Sequence, residues 1–185
     1  MKKLILLILF LSLCATNTVN AKNKMILKLK DGNVEIKLFD DVAPNHVKRI
    51  KTLVKNKAYD GVVFHRVIEG FMAQTGDVKF GNSTNSDFNL KLAGTGSSSL
   101  PDLKAEFSDL PHERGTLSMA RSSNPNSANS QFFICFQSSP HLDRNYTIFG
   151  KVTKGMEFID NIKRGEGPNG SVEEPDKIIS ISITD

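Results

Sequence analysis

The most informative stretch of this chain reads FHRVIEGFMAQTGD and spans residues 64–77. Residues 62–68 are rich in β-strand formers, and a second short run follows the dipeptide Glu69-Gly70. Because this dipeptide is typical of a tight turn, the stretch predicts a β-hairpin. Arg66 and Gln74 stand among the apolar residues of the hairpin. A lone cation in such surroundings suits a small apolar pocket with one polar group.

The faces of this hairpin present a geometric problem. Strict alternation along a strand places Met72 and Gln74 on one face and Phe71 on the other. All three side chains can face one groove only if the strand bends near Gly70. The sequence therefore predicts a bend at this glycine if the three residues share a site.

The first 21 residues differ in character from the rest of the chain. Lys2-Lys3 precedes an almost unbroken apolar run at residues 4–13, and small residues follow up to Ala21. This pattern predicts a secretory signal peptide over residues 1–21 and one domain over residues 22–185. The run is about half of the roughly 20 residues that a membrane span needs, so no stable span is expected after cleavage. An uncleaved anchor and a lipoprotein signal at Cys14 are the alternatives.

The composition argues against several classes of partner and ligand. A formal net charge of +4 with scattered lysines is typical of a solvated surface, so no nucleic acid partner is expected. The four histidines lie far apart and lack metal-ligand spacing, so no metal site is expected. Cleavage of the leader would leave Cys135 as a single cysteine in an apolar run. We therefore expect a buried thiol and no internal disulfide.

Most of the remaining chain is predicted to form short strands joined by turns. Helical spacing of apolar residues predicts isolated helices near residues 43–55 and 155–163. The glycine- and serine-rich residues 78–102 predict a long surface loop. Many short strands with two helices favour an antiparallel sandwich or a closed barrel. The further strands are predicted at residues 25–29, 34–39, 115–120, 131–136, 146–152 and 178–183.

Several ordered motifs resemble those of the cyclophilin family of peptidyl-prolyl cis–trans isomerases. They are FHRVI and GFMAQ at residues 64–74, GTLSMA at 115–120, NSQFFIC at 129–135 and FGKV at 149–152. The resemblance runs from about Met25 to the C-terminus. It implies an all-β fold, a closed eight-stranded antiparallel β-barrel capped by two α-helices. It also implies an isomerase that needs no cofactor.

The resemblance assigns roles to individual residues of this chain. Arg66 corresponds to the family's catalytic arginine, Gln74 to the glutamine that positions it, and Phe71 to a wall of the proline pocket. These three are the predicted catalytic residues. The predicted substrate-binding residues line the same pocket or the groove beside it, and they are Met72, Ala120, Arg121, Gln131, Phe133, Leu142 and Tyr146.

The chain also departs from the family pattern at identifiable positions. Arg121 stands where many members carry asparagine. His141 stands where animal members carry a tryptophan, and Tyr146 where they carry a pocket histidine. Both of these changes resemble bacterial members and imply weak or no binding of cyclosporin. An insertion lies between Asp77 and Gly94 relative to shorter members.

The predicted function is isomerisation of X–Pro peptide bonds in the periplasm of a Gram-negative bacterium. The expected partners are proline-containing polypeptides and unfolded exported proteins, and the protein is expected to be a monomer. The alternative from another class is a non-catalytic proline-peptide-binding module or a holdase chaperone. A cyclophilin of the eukaryotic secretory pathway is a further alternative.

Overall fold

The computed structural model describes residues 23–184, so the predicted signal peptide lies outside the described residues. No helix in this part of the chain is long and apolar enough to cross a membrane. In chain order the elements are β1 (Lys24–Lys28), β2 (Asn33–Leu38), α1 (Pro44–Lys55), β3 (Arg66–Ile68), β4 (Met72–Thr75), β5 (Thr116–Met119), β6 (Phe132–Cys135), a 3-10 helix (Pro140–Leu142), β7 (Ile148–Lys154), α2 (Met156–Asp160) and β8 (Ser180–Thr184).

The strands form one eight-stranded sheet with the order β3-β4-β6-β5-β7-β2-β1-β8. Every pairing between neighbours is antiparallel. The sheet curves into a half-barrel and carries two α-helices, which confirms the predicted mainly-β architecture. Bulges in the pairings of β7 with β2 and with β5 are the kind of irregularity that bends a sheet.

The predicted closure of the barrel is wrong. Among residues 23–184, the edge strands β3 and β8 form no ladder with each other. The physical reason is that a loop occupies the free edge of β3. The backbone N–H of Val67 donates to Gly170 O at 2.7 Å, and the N–H of Gly165 donates to Val67 O at 2.9 Å. The segments before the two strands do meet, because Phe64 N–H donates to Asp176 O at 2.8 Å and Ile178 N–H donates to Val62 O at 2.9 Å.

The predicted hairpin is present, and its turn explains how it bends. Ile68 pairs with Met72, and Gly70 adopts a φ of 68°, a left-handed conformation that glycine adopts without steric cost. The N–H of Phe71 then donates to Ile68 O at 3.0 Å. Phe71 therefore belongs to the turn and not to β4, so strand alternation does not fix the direction of its side chain.

One face of the sheet carries the main core together with α1. Pro44 occupies the first turn of α1, where its missing N–H costs nothing, and Val47 and Ile50 are fully buried on the helix. Ala73, Leu117 and Ile134 are fully buried on the sheet. Since strand residues alternate between faces, their neighbours in sequence point to the opposite face.

Candidate active site

The candidate site is built on the outer face of β3, β4, β6 and β5. Arg66 pairs with Gln74, Gln74 pairs with Phe133, and Phe133 pairs with Ser118. Residues directly opposite each other in neighbouring strands share a face, so these four form one row across the sheet. A second row consists of Ile68, Met72 and Cys135.

Nine of the ten predicted site residues come together around one small cavity of about 190 Å³. Gln131 lies outside it and lines an adjoining cavity of about 380 Å³, which shares Gln74, Ala120 and Arg121 with the first. We call the smaller cavity the proline pocket and the larger one the side groove. The proline pocket is lined by Arg66, Phe71, Met72, Gln74, Ala120, Arg121, Phe133, Leu142 and Tyr146.

The apolar side of the proline pocket is a separate, smaller hydrophobic cluster. Met72, Phe133, Cys135 and Leu142 are its buried members, and Phe71 packs against them from the turn. The Phe133 ring meets the Tyr146 ring edge-on, with 5.9 Å between centroids. These rings provide rigid apolar walls suited to a compact apolar group.

The thiol at the base of this cluster is inert. Cys135 is fully buried, and burial raises the pKa of its thiol to about 12. Because the thiolate is the reactive form, the thiol stays protonated and unreactive at neutral pH. This agrees with the buried thiol expected from the sequence.

Arg66 is held at the rim of the proline pocket by two oxygen atoms. Its Nε donates to Asn169 O at 3.0 Å, and its Nη1 donates to Gln74 Oε1 at 3.2 Å. The side chain is half-buried, and burial lowers the pKa of its guanidinium from the usual value while Tyr146 raises it. An arginine so placed stays protonated, because its ordinary pKa lies far above neutral pH.

Gln74 continues this hydrogen bonding away from the pocket. Its Nε2 donates to Gln131 Oε1 at 3.0 Å. Gln131 Nε2 in turn donates to Gly94 O at 3.0 Å and to Gly96 O at 2.7 Å. The two amide side chains therefore connect Arg66 with the glycine-containing loop at the end of the insertion.

Arg121 contributes its guanidinium group to the site. Its guanidinium lies over the Tyr146 ring, 4.3 Å from the centroid, and its Nη2 donates to Asn145 O at 2.9 Å. Nη1 donates to Ser122 O at 2.9 Å. Arg121 thus stands between the proline pocket and the side groove and covers one face of Tyr146.

Sequence reasoning gave no role to two contacts that shape the site. Asn169 supplies the backbone oxygen for Arg66, and Asp77 accepts hydrogen bonds from the loop that contains Gly94 and Gly96. The bonds from Lys79 and Phe80 to Asp77 are local, and an aspartate before a turn favours them. The long-range partners carry no signal in the spacing of a single sequence.

The described residues offer polar and apolar binding groups and no cluster of metal ligands. Residues 23–184 contain no group of three or more histidine, cysteine, aspartate or glutamate residues placed to hold a metal ion. The arrangement can bind a small ring in an apolar pocket while a fixed guanidinium donates hydrogen bonds beside it. The side groove can accept the adjoining part of an extended peptide.

Comparison with known proteins identifies the family. Residues 24–183 match the model described as cyclophilin type peptidyl-prolyl cis-trans isomerase/CLD. The chain is 57% identical over 177 residues to a probable peptidyl-prolyl cis-trans isomerase of Brucella suis, covering 94% of this chain and 90% of that protein. It is 40% identical over 173 residues to a peptidyl-prolyl cis-trans isomerase of Acinetobacter baylyi, covering 87% and 86%.

Solved structures agree with this assignment. A cyclophilin from Hirschia baltica superposes with a TM-score of 0.74 and 27% identity, covering 89% of this chain and 75% of that one. A cyclophilin type isomerase from Cryptosporidium parvum, crystallised in the presence of the dipeptide Ala-Pro, gives 0.73 and 27%, covering 88% and 99%. The chain belongs to the cyclophilin-type peptidyl-prolyl cis–trans isomerases. Its activity is cis–trans isomerisation of the peptide bond that precedes proline.

Proposed function

We propose that this isomerase acts on exported, proline-containing polypeptides and that Arg66 stabilises the twisted transition state. The observation that carries the proposal is the position of Arg66 on the wall of the proline pocket, where Gln74 and Asn169 fix its guanidinium. A dipeptide ending in proline was present in the Cryptosporidium parvum structure. That ligand has the chemistry which this pocket would accept.

The reaction breaks no covalent bond, so the site needs neither a nucleophile nor a general base. Rotation about a peptide bond crosses a barrier of about 18–20 kcal/mol that amide resonance creates. Both X–Pro isomers are populated, since trans is favoured by only about 0.5–1 kcal/mol. The enzyme therefore has to lower the barrier while it binds two ground states of similar energy.

Arg66 can lower this barrier by binding the twisted state better than either planar state. When the bond is twisted, the prolyl nitrogen loses conjugation and its lone pair becomes a hydrogen-bond acceptor. Within residues 23–184 the partners of Arg66 engage its Nε and Nη1, which leaves Nη2 to reach the substrate. An interaction made only in the transition state accelerates the reaction.

The apolar walls support this interaction. Phe71, Met72, Phe133 and Leu142 hold the pyrrolidine ring, and Tyr146 closes the side beneath Arg121. Exclusion of water lowers the local dielectric constant and strengthens the hydrogen bond from the guanidinium. Ala120, Arg121 and Gln131 accept the residue before proline at the border of the side groove.

We propose a periplasmic location, with residues 1–21 as a cleaved signal peptide. The support is the lysine pair, the apolar run and the small residues before Ala21, and the matched family region begins downstream at residue 24. In this proposal the enzyme is a monomer that binds cyclosporin weakly or not at all, because His141 and Tyr146 replace residues of animal members. N-terminal sequencing of the periplasmic form tests the location, and a first residue other than Lys22 contradicts the proposed cleavage.

The role of Arg66 is tested by Arg66→Ala in an isomerisation assay with a proline-containing peptide. We expect kcat/KM to fall by roughly 10²–10³-fold, the range for removal of one transition-state donor. The matched control is Arg144→Ala, which removes an arginine whose side chain is 76% exposed and pairs with Asp109 at the surface. Near-normal activity of Arg66→Ala in a folded protein would contradict the mechanism.

A further inference from the structure

Asp77 is a buried carboxylate that joins the two ends of the insertion. It is fully buried, and its oxygens accept hydrogen bonds from four backbone N–H groups at 2.8–3.0 Å. Oδ1 accepts from Lys79 and Phe80 at the start of the insertion, and Oδ2 accepts from Gly94 and Gly96 just after it. Hydrogen bonds to a charged acceptor are among the stronger ones in proteins, so the loop is firmly fixed.

Both glycines are required for this close approach. Gly94 has a φ of 98°, and a Cβ there would lie 3.1 Å from the ring of His65. A Cβ on Gly96 would collide with Asp77 Oδ1. Glycine is the residue that allows a backbone to come this near to another group. The positions of the Gly94 and Gly96 carbonyl groups are therefore set by Asp77.

These carbonyl groups determine the orientation of the Gln131 amide. Gln131 Nε2 donates to Gly94 O and Gly96 O at 3.0 and 2.7 Å. The reverse orientation would place Oε1 against two carbonyl oxygens, neither of which can donate a hydrogen bond. Gln131 must therefore present its Oε1 in the other direction, which is toward Gln74.

The orientation of Gln131 then determines that of Gln74. Because Gln131 offers an oxygen, Gln74 must donate with its Nε2, as it does at 3.0 Å. Its own Oε1 is thereby turned to Arg66, where it accepts from Nη1 at 3.2 Å. A flipped Gln74 would instead present an amide NH₂ group to a guanidinium that can only donate.

We propose that Asp77 is a positioning residue for catalysis: through Gly94 and Gly96 it sets the direction of the Gln131–Gln74 hydrogen bonds, so that an acceptor faces Arg66. The inference rests on the proposed role of Arg66. It gives the anchored end of the insertion a part in the reaction, although Asp77 lies outside the proline pocket and touches no substrate.

The test is a double-mutant cycle that combines Asp77→Asn with Gln131→Ala. For each variant, kcat is measured at saturating peptide by NMR exchange spectroscopy. In Asp77→Asn the amide nitrogen would face two N–H groups, so two of the four hydrogen bonds are lost. We expect kcat to fall by roughly tenfold or more with little change in KM, since small misplacement of a catalytic group has effects of this size. In the Gln131→Ala background, where the connection is already cut, Asp77→Asn should leave kcat nearly unchanged.

Melting temperatures of all variants separate positioning from folding. Asp176→Asn is the matched control, because Asp176 also accepts a backbone N–H, from Lys163 at 2.8 Å, and pairs with Lys30 outside the site. It should lower the melting temperature and leave kcat of the folded protein unchanged. Equal loss of kcat from Asp77→Asn in both backgrounds would overturn the proposal.

The proposal can be tested even if Asp77→Asn does not fold, and its failure can be distinguished from failure of the proposed mechanism. If Asp77→Asn does not fold, Gln131→Ala alone decides, because Gln131 is half-buried and we expect the fold to tolerate its truncation. An unchanged kcat in that variant would overturn the proposal. An active Arg66→Ala would overturn the proposed mechanism itself, whereas an inactive Arg66→Ala beside a normal Asp77→Asn overturns only the role of Asp77.

Discussion

The two faces of strands β4, β5 and β6 carry different kinds of residues at the same register. On the inner face Ala73, Ile134 and Leu117 are opposite one another and fully buried. One residue along, Gln74 and Phe133 are opposite each other on the outer face and line the proline pocket. Adjacent residues in each strand therefore have different roles: one packs in the core and stabilises the fold, and the next lines the active site. Substitutions on the two faces should have separable consequences.

The largest expected effect on stability comes from the inner face. Ile134→Ala should lower the free energy of unfolding by about 2–5 kcal/mol, because it deletes buried methyl groups and leaves a cavity. Activity per folded molecule should stay close to normal, since the side chain points away from the proline pocket. Urea denaturation and an isomerisation assay on the same samples measure the two quantities.

Ile179→Ala is the matched control for this substitution. Ile179 is 43% exposed, so its truncation should change the free energy of unfolding by about 0.5 kcal/mol or less. A large loss of specific activity in folded Ile134→Ala would show that the two faces are mechanically coupled.

The next prediction concerns the stability contributed by His65, a buried polar residue beside the active site. His65 precedes Arg66 in sequence but is only 6% exposed, and neither of its ring nitrogens has a hydrogen-bond partner among the described residues. Burial lowers the pKa of His65 to about 4, although the nearby charge of Asp77 raises it and that of Arg66 lowers it further. The neutral form is therefore the one that fits the folded protein.

Acidification should destabilise the fold through His65. Between pH 6.5 and 4 the unfolded chain binds a proton at His65 and the folded chain does not, so the free energy of unfolding falls as the pH falls. The total loss from this residue is about 3 kcal/mol. His65→Gln should remove this part of the pH dependence in urea denaturation curves. His46 and His112, whose pKa values are also lowered by burial, act in the same direction and remain in the variant.

An identical pH dependence in His65→Gln and in the unaltered protein would contradict this prediction. It would mean that the ring is hydrated or paired in solution. His65 would then be accessible to solvent, as Arg66 is, and would not be part of the buried interior.

Local patterns were enough to predict the hairpin and most strands. Glu69-Gly70 between β-forming runs specified the turn, and apolar spacing placed α1 near residues 43–55. The resemblance supplied the residues that the structure gathers around the proline pocket. The second helix is shorter than predicted and ends at Asp160. Ile162 keeps the apolar spacing and is buried, but its N–H donates to Ile159 O in a tighter turn that does not continue the α-helix.

What the sequence could not predict depends on contacts between distant segments. The loop that pairs with Val67 leaves the half-barrel open, and the sequence of β3 contains no feature that predicts this pairing. Likewise, the hydrogen bonds from Gly94 and Gly96 to Asp77 join segments across the whole insertion. Such contacts depend on the path of the backbone, which neither periodicity nor composition contains.

The smallest expected effect comes from Arg121, which lies on the outer face between the proline pocket and the side groove. Arg121→Gln removes the cation above Tyr146, a contact worth about 0.5–1 kcal/mol at exposed sites. We expect kcat/KM to fall by roughly two- to fivefold and the free energy of unfolding to change by less than about 1 kcal/mol. Arg121→Lys keeps the charge but not the planar fork, so it should retain only part of the activity.

The pair of variants also decides how Arg121 acts. If Arg121→Gln has normal kcat/KM, the guanidinium makes no contribution to catalysis and the position can act only through its backbone. If the loss exceeds that of Arg66→Ala, then Arg121 and not Arg66 supplies the main donor, and the outer row of the sheet would have to be reassigned. A loss of a few-fold, with Arg121→Lys in between, supports a guanidinium that covers Tyr146 and keeps one wall of the proline pocket in place.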